Sequence, residues 1–375
     1  MSIHSMNRTP TRTGMDYALF WALAGSGLFG VLMIYSATRQ ALVNAGDNPH
    51  YYLERQLVFV VAGIALMWIV SRIDFHRLEL LATPGYVISL IALVAVRFLG
   101  SSALGAQRWF NLGFVQLQPS EFSVVAIIIA IATYAARRPE GITNRDVGRL
   151  LLMFGTPLFL IVFQPDLGTS IILLVAIGIE LVMAGVPPRL MVVLAVGGSL
   201  LSVFAIYFGL LHQYQINRLT AFLNQNSNDG QMQQLIFQVT NAKSAIGSGG
   251  LFGAGFFRGL QTTLGYVPEQ RTDFIFTAIG EQLGLAGCLW TIGLLSFVGY
   301  RMYKITRETK DIFGRLLCTG IFVFFAFSCI QNIGMTMGVM PIAGIPLPLI
   351  SYGGSAAVVF FVAGGIVLSV GRRRI

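Results

Sequence analysis

The sequence predicts an all-α, polytopic integral membrane protein of about ten transmembrane helices, with a large extracytoplasmic loop between the seventh and the eighth. Three observations carry this. Of 375 residues, 55% are hydrophobic and only 11% charged, where a soluble domain carries about a quarter charged residues. The apolar residues arrive in runs close to the ~20 that cross a bilayer core, divided by short polar segments. The basic residues fall unevenly on alternate connections. A single soluble domain is excluded, and a membrane β-barrel would show ~10-residue alternating segments instead.

The first span is expected near Tyr17 to Ile34; it is longer than a signal-peptide core and nine more runs follow, so it reads as an anchor that is kept. The next lie near Leu57 to Val70, Leu80 to Val96 and Phe122 to Ala136, the last opening on Gln118-Pro119-Ser120-Glu121. Leu150 to Val162 follows a basic connection, and Leu167 to Val186 follows it too closely for a real loop, with Asp166 between them. The remaining spans are Leu190 to Leu211, Phe274 to Val298, Leu316 to Ile333 and Ile350 to Val370. The whole chain, 1–375, reads as one transmembrane domain.

An even count puts both termini on one side, and the positive-inside rule tests it. With the N-terminus cytoplasmic, the outside set is Arg39, Arg55, Arg97, Arg108, Arg218, Lys243, Arg258 and Arg271; the other seventeen of 25 basic residues, from Arg8 and Arg12 to Arg374, fall inside. The net charge of +9 is thus a topology signal and not a nucleic-acid surface. Cys288, Cys318 and Cys329 lie inside apolar runs and build no disulfide framework. His4, His50, His76 and His212 are too scattered for a zinc cluster, so a metal would rest on carboxylates and substrate phosphates. Gly25, Gly27 and Gly30, and Gly364-Gly365 in the last span, suit close helix packing.

His212 to Arg271 is too long and too polar for a connector, and long loops of this kind are usually functional. It ends in Pro268-Glu269-Gln270-Arg271-Thr272-Asp273, where a helix is expected to begin at Asp273. That carboxylate has two readings. It caps the helix, or it serves as a general base at the mouth of a membrane cavity, with Arg271 favouring its ionised form. Arg108, Glu121 and Asp166 cluster at the same face, the two acids with N-capping as their alternative.

Six runs in order resemble one family: Ala106-Gln107-Arg108-Trp109 after Gly105, Gln118-Pro119-Ser120-Glu121, Gln164-Pro165-Asp166-Leu167-Gly168-Thr169, Ala245-Ile246-Gly247-Ser248-Gly249-Gly250-Leu251, Thr272-Asp273-Phe274-Ile275-Phe276, and Pro346-Leu347-Pro348-Leu349-Ile350-Ser351-Tyr352-Gly353-Gly354-Ser355. They are similar to the SEDS family (shape, elongation, division and sporulation). Gly259-Leu260-Gln261 resembles its elongation branch (RodA) more than its division branch (FtsW).

The resemblance implies a peptidoglycan glycosyltransferase that polymerises lipid II at the outer face of the cytoplasmic membrane, with Asp273 catalytic. Substrate-binding candidates are Arg108, Glu121, Asp166, Arg218, Lys243, Gln261, Glu269, Arg271 and Ser351. Arg108, Lys243, Arg218 and Arg271 are candidates to hold diphosphate, and a divalent cation (Mg or Mn) could share that duty. Ser351, Gln331 and Asn332 are expected to act through packing and cavity shape, and Glu281 to face the cavity or pair with another helix.

The family also implies a class B penicillin-binding protein as partner, within an elongation complex. The chain departs from the pattern at Val124, where the family usually has Lys, leaving Glu121 to find a partner such as Arg108. The competing reading is a lipid II flippase; acids concentrated at the outer end, with Glu180 the deep exception, favour the enzyme. A pure scaffold leaves Glu121, Asp166 and Asp273 on one face unexplained.

Overall fold

The computed structural model describes residues 14–103, 106–111, 113, 115–138, 141–208, 213–223 and 230–373. Expectations resting on His4, Arg8, Arg12, Gly105, His212 and Arg374 lie outside these. In chain order the elements are α1 (Tyr17–Ala45), α2 (Tyr51–Arg72), α3 (Arg77–Leu99), β1 (Ser101–Ala103), β2 (Ala106–Asn111), β3 (Gln116–Leu117), α4 (Pro119–Ala136), α5 (Asn144–Phe163), α6 (Leu167–Met183) and α7 (Pro188–Tyr207). There follow α8 (Gln213–Leu223), α9 (Gly230–Ser248), α10 (Leu260–Thr263), α11 (Ile275–Glu308), α12 (Ile312–Thr336) and α13 (Gly354–Gly371).

Each expected apolar run falls on one helix. Eight of these helices are long and apolar enough to cross a membrane; α6 and the apolar part of α7 are shorter. Their ends follow local chemistry. Asp16 caps α1 by accepting from the Leu19 N–H (3.0 Å), and Gly46, at φ 78°, ends it. Thr143 and Asp146 form a reciprocal box at the start of α5. Within the bundle Ser26, Thr38, Ser123, Thr133, Thr291 and Ser328 donate to the carbonyl four residues back, so none of these hydroxyls is stranded in apolar surroundings.

Helices pack α13 on α2, α3 on α4, and α12 on both α6 and α11. Gly30 lets α1 approach the segment before α13: a Cβ there would lie 2.6 Å from the Ile350 backbone. Gly27, Gly364 and Gly365 are likewise in close contact, whereas Gly25 meets nothing and is not part of the packing.

Three features depart from the sequence reading. The connection between α3 and α4 is a small antiparallel sheet, β1-β2-β3, too short to announce itself by alternation. The 212–271 segment is largely helical: α9 buries Ala242 and Ala245 against Val267, Phe274 and Ile342. Finally, α11 is broken at Gly284 (φ 65°, ψ −162°).

The break frees the Glu281 and Gln282 carbonyls, which accept from the Ala254 and Gly255 N–H groups (2.9 and 3.0 Å), while the Leu285 and Ala286 N–H groups donate to Gly250 and Leu251 (2.9 and 3.0 Å). Non-helical backbone at membrane depth requires such satisfaction. Gly249 and Gly253 serve this contact, since a Cβ on either would fall about 2 Å from a carbonyl of α11.

Candidate active site

The polar motifs converge at one end of the bundle. On β2, Arg108 is aimed at the α5–α6 junction, donating from Nε to the Gln164 carbonyl (3.1 Å) and from Nη2 to the Pro165 carbonyl. Next to it, Trp109 Nε1 donates to Gln118 Oε1 (3.1 Å), and Gln118 Nε2 donates to Asp166 Oδ2 (3.0 Å). Asp166 is buried and fully engaged. Its Oδ1 accepts from the Thr169 N–H (3.3 Å), capping α6, and its Oδ2 also accepts from Ser120 Oγ (2.9 Å).

Asp273 stands opposite, at the end of a tight turn. The Thr272 and Phe274 N–H groups donate to the Glu269 carbonyl (3.2 and 3.3 Å), with Glu269 itself at φ 51°. Phe274, not Asp273, occupies the capping position of α11, which begins at Ile275. The capping reading is therefore corrected: no hydrogen bond reaches the Asp273 carboxylate from the described residues. Only its backbone is held, the carbonyl accepting from Asn332 Nδ2 (2.8 Å), which also donates to the Ile345 carbonyl (2.6 Å).

Gly344, at φ 69°, lies between Asp273 and α8: a Cβ there would sit 3.3 Å from Asp273 Oδ2 and 3.0 Å from Arg218 Nη1. Carboxylate and guanidinium thus face one another across a residue without a side chain. Burial pushes the Asp273 carboxyl up to about 6. Arg218 and Arg108 pull against that, and Glu269 and Asp166 reinforce it. The cations that act on Asp273 are therefore Arg218 and Arg108, not the neighbouring Arg271, whose guanidinium lies over the Tyr52 ring at 4.7 Å.

Behind Gly344 a narrow cavity of about 30 Å³ enters the bundle, lined by Gln118, Glu121, Val124, Thr169, Ser328 and apolar groups of α12 and α13. Glu121 Oε2 is buried there without a hydrogen-bond partner among the described residues. The expected Glu121–Arg108 contact is absent among them too: the Arg108 guanidinium turns its Nε and Nη2 to the Gln164 and Pro165 carbonyls.

Other candidates are placed elsewhere. Ser351 is buried, donating to the Thr272 carbonyl (2.5 Å) and accepting from the Leu347 N–H (2.8 Å), so it fixes the backbone beside Asp273. Gln261 donates through its backbone N–H to Glu281 (2.6 Å), whose carboxylate also takes the N–H (2.8 Å) and hydroxyl of Thr262. Glu281 therefore secures α10. Lys243 is exposed and packs its ammonium against Gly338. Glu180 is wholly buried, and neither of its carboxylate oxygens has a partner in the described residues.

Sequence reasoning missed Gly344 and Gln56, which donates to the Ser351 carbonyl and accepts from the Gly353 N–H (3.3 Å each). A polar residue at the edge of an apolar run was a signal for the second; nothing local marked the first.

Arranged this way, the end of the bundle joins an unengaged carboxylate to the fields of two arginines beside a narrow cavity, a setting that suits polar chemistry. A family model described as cell cycle protein, FtsW/RodA/SpoVE, matches residues 17–374. The peptidoglycan glycosyltransferase MrdB of Escherichia coli K12 is 34% identical over 345 residues, covering 92% of this chain and 91% of its own. A probable peptidoglycan glycosyltransferase FtsW of Trichlorobacter lovleyi is 34% identical over 362 residues, 95% and 92% covered.

Among solved structures, the rod shape determining protein RodA of Thermus thermophilus aligns with TM-score 0.70 and 25% identity. A chain from a peptidoglycan synthase complex, solved to show how polymerization and crosslinking are coordinated, aligns at 0.81 and 28%; each comparison covers 96% of this chain and 98% of the other. The chain belongs to the FtsW/RodA/SpoVE (SEDS) family. It is a RodA-like peptidoglycan glycosyltransferase.

Proposed function

We propose that this enzyme polymerises lipid II into glycan strands at the outer face of the cytoplasmic membrane during cell elongation, both termini being cytoplasmic. The observation that carries the reading is the Asp273 carboxylate, free of hydrogen bonds from the described residues, raised to about 6 and facing Arg218 across Gly344. At neutral pH such a group is mostly ionised yet basic enough to accept a proton. Asp273 takes the proton of the acceptor's 4-hydroxyl as that oxygen attacks the donor's anomeric carbon. The bond to undecaprenyl diphosphate breaks with its electron pair on the diphosphate, and attack from the opposite face turns an α-linked donor into β-linked glycan.

Arg218 and Arg108 stabilise the charge developing on the diphosphate. Lys243 and Arg271 stand further out, where they meet the substrate's entering or growing end. Asp166 and Ser351 position these groups through the backbone, and Glu121 faces the substrate from the cavity. A divalent cation would arrive with the diphosphate. No three His, Cys, Asp or Glu side chains among the described residues group as ligands, so Glu269 would supply a carboxylate and the phosphates the remaining oxygens. Bound there, it would neutralise charge on the leaving group.

The partner in this reading is a class B penicillin-binding protein, which crosslinks the product. The test is glycan formation from purified lipid II by wild type and Asp273→Asn, each reconstituted with that partner carrying an inactivated transpeptidase. Polymer from wild type alone is expected. No polymer from either, with lipid II moved across vesicles, would replace the polymerase by a flippase.

A further inference from the structure

We propose that residues 249–257 form a re-entrant strap that seats Leu251 and Phe252 among the acyl chains of the leaflet on the Asp273 side, so that the bilayer itself sets the height of the site. Helix α1 serves as a built-in ruler. At one end of that helix Asp16 pairs with Arg301 of α11, and Lys304 and Arg307 continue the charged end. At the other, Ser36 donates to Gln282 Oε1 and accepts from the Phe257 N–H (3.1 Å). Roughly 20 residues of unbroken helix separate the two contacts, about 30 Å and the thickness of a hydrocarbon core. With the charged pair at one polar boundary, Ser36 and Gln282 mark the other.

The strap bonds to α11 between Glu281 and Ala286, from that boundary to about one helical turn inside it. Leu251 and Phe252 sit at the inner end of this pairing, yet they are 66% and 83% exposed. In water such exposure is unfavourable; among acyl chains it is the expected state. Toward the polar side Arg39 places its guanidinium over the Phe257 ring at 5.6 Å, and Arg258 is exposed beside Gly255. Apolar tips beneath a pair of arginines at phosphate level form an interfacial anchor. The strap backbone can enter at this depth because the break at Gly284 supplies its hydrogen bonds. Seated this way, it holds the first residue of α11, Ile275, about 10 Å of helix above the hydrocarbon boundary, with Asp273 two residues before it. This placement stands independently of the reaction proposed above.

The test is nitroxide accessibility in the full chain, with the three buried native cysteines changed to alanine, in nanodiscs of phosphatidylcholine and phosphatidylglycerol. Single labels go on Phe252→Cys, on Leu289→Cys as a lipid-facing reference and on Asp47→Cys as a water-facing one. Collisions with oxygen, which concentrates in acyl chains, are compared with those of a water-soluble nickel chelate. The ratio at Phe252 is expected to rise several-fold above that at Asp47, toward that at Leu289. A ratio no higher than at Asp47 overturns the proposal. If the Phe252 variant does not fold, a label at Leu251 carries the same decision.

Discussion

Asp166 and Asp273 stand in the same sequence setting, each the last polar residue before an apolar helix on one face of the bundle, and the fold uses them in opposite ways. At 164–170 the carboxylate takes one backbone N–H and two side-chain donors, closing the start of α6 and tying it to α4. At 269–277 the Glu269 carbonyl accepts from the Thr272 and Phe274 N–H groups and the Phe274 carbonyl from that of Thr277, so the Asp273 side chain is left unengaged. What separates an aspartate spent on structure from one left available is whether the surrounding backbone needs its oxygens.

The sharpest way to break this contrast is the same isosteric change at both positions. Asp273→Asn is expected to lower polymerisation by about 10²- to 10⁴-fold, the usual range for removing a general base, with the folded protein intact in detergent. Asp166→Asn keeps the cap on Thr169 but turns its NH2 toward the Gln118 and Ser120 donors, so it is expected to lower stability more than turnover, and Asp166→Ala, which also loses the cap, costs about 1–2 kcal/mol in thermal unfolding. Equal loss of turnover from both asparagine variants at equal stability would erase the distinction.

Gly344→Ala comes next. Its Cβ enters the gap between Arg218 and Asp273 at a φ that side chains avoid, and misplacing either group costs up to about a hundredfold in rate. Unchanged kcat would show that the two need not face each other. A smaller effect is expected of pH: turnover should climb as pH rises through about 6, where Asp273 ionises, and a profile flat from pH 5 to 8 would contradict its role.

The least change concerns stability. The native Asp273 carboxyl binds its proton more tightly than the usual 3.8 of an unfolded chain, so wild type gains stability as pH falls from above 6 to below 4. The amide of the Asp273→Asn variant does not titrate. That variant should therefore melt higher than wild type at pH 8, with the advantage gone near pH 4; melting curves across that range decide it.

Much of this was legible in the sequence. Helices formed where apolar runs approached membrane length, because the bilayer allows few alternatives, and family motifs marked the face on which Asp273, Asp166 and Arg108 meet. The role of Asp273 as cap or base was not legible, since it depends on a carbonyl four residues earlier in a turn with Glu269 at positive φ. Neither were the partners of Arg108, which bring together a β-strand and a helix junction far apart in the chain. The 212–271 segment reads as a loop because its helices are short of apolar residues. Its amphipathic burial becomes visible only with Val267, Phe274 and Ile342 in place.

The anchoring of Asp273 also sets an order of events in biosynthesis. Its carbonyl is held by Asn332, the Thr272 carbonyl by Ser351, and the Arg271 carbonyl by the Tyr352 N–H, all from the stretch of chain that leaves the ribosome after Asp273 itself. Until α12 and the turn before α13 have entered the membrane, a nascent chain carries the carboxylate without the groups that fix its backbone. The position of the Asp273 backbone is thus the last feature of this face to be fixed, set only when the chain as far as Tyr352 is in place.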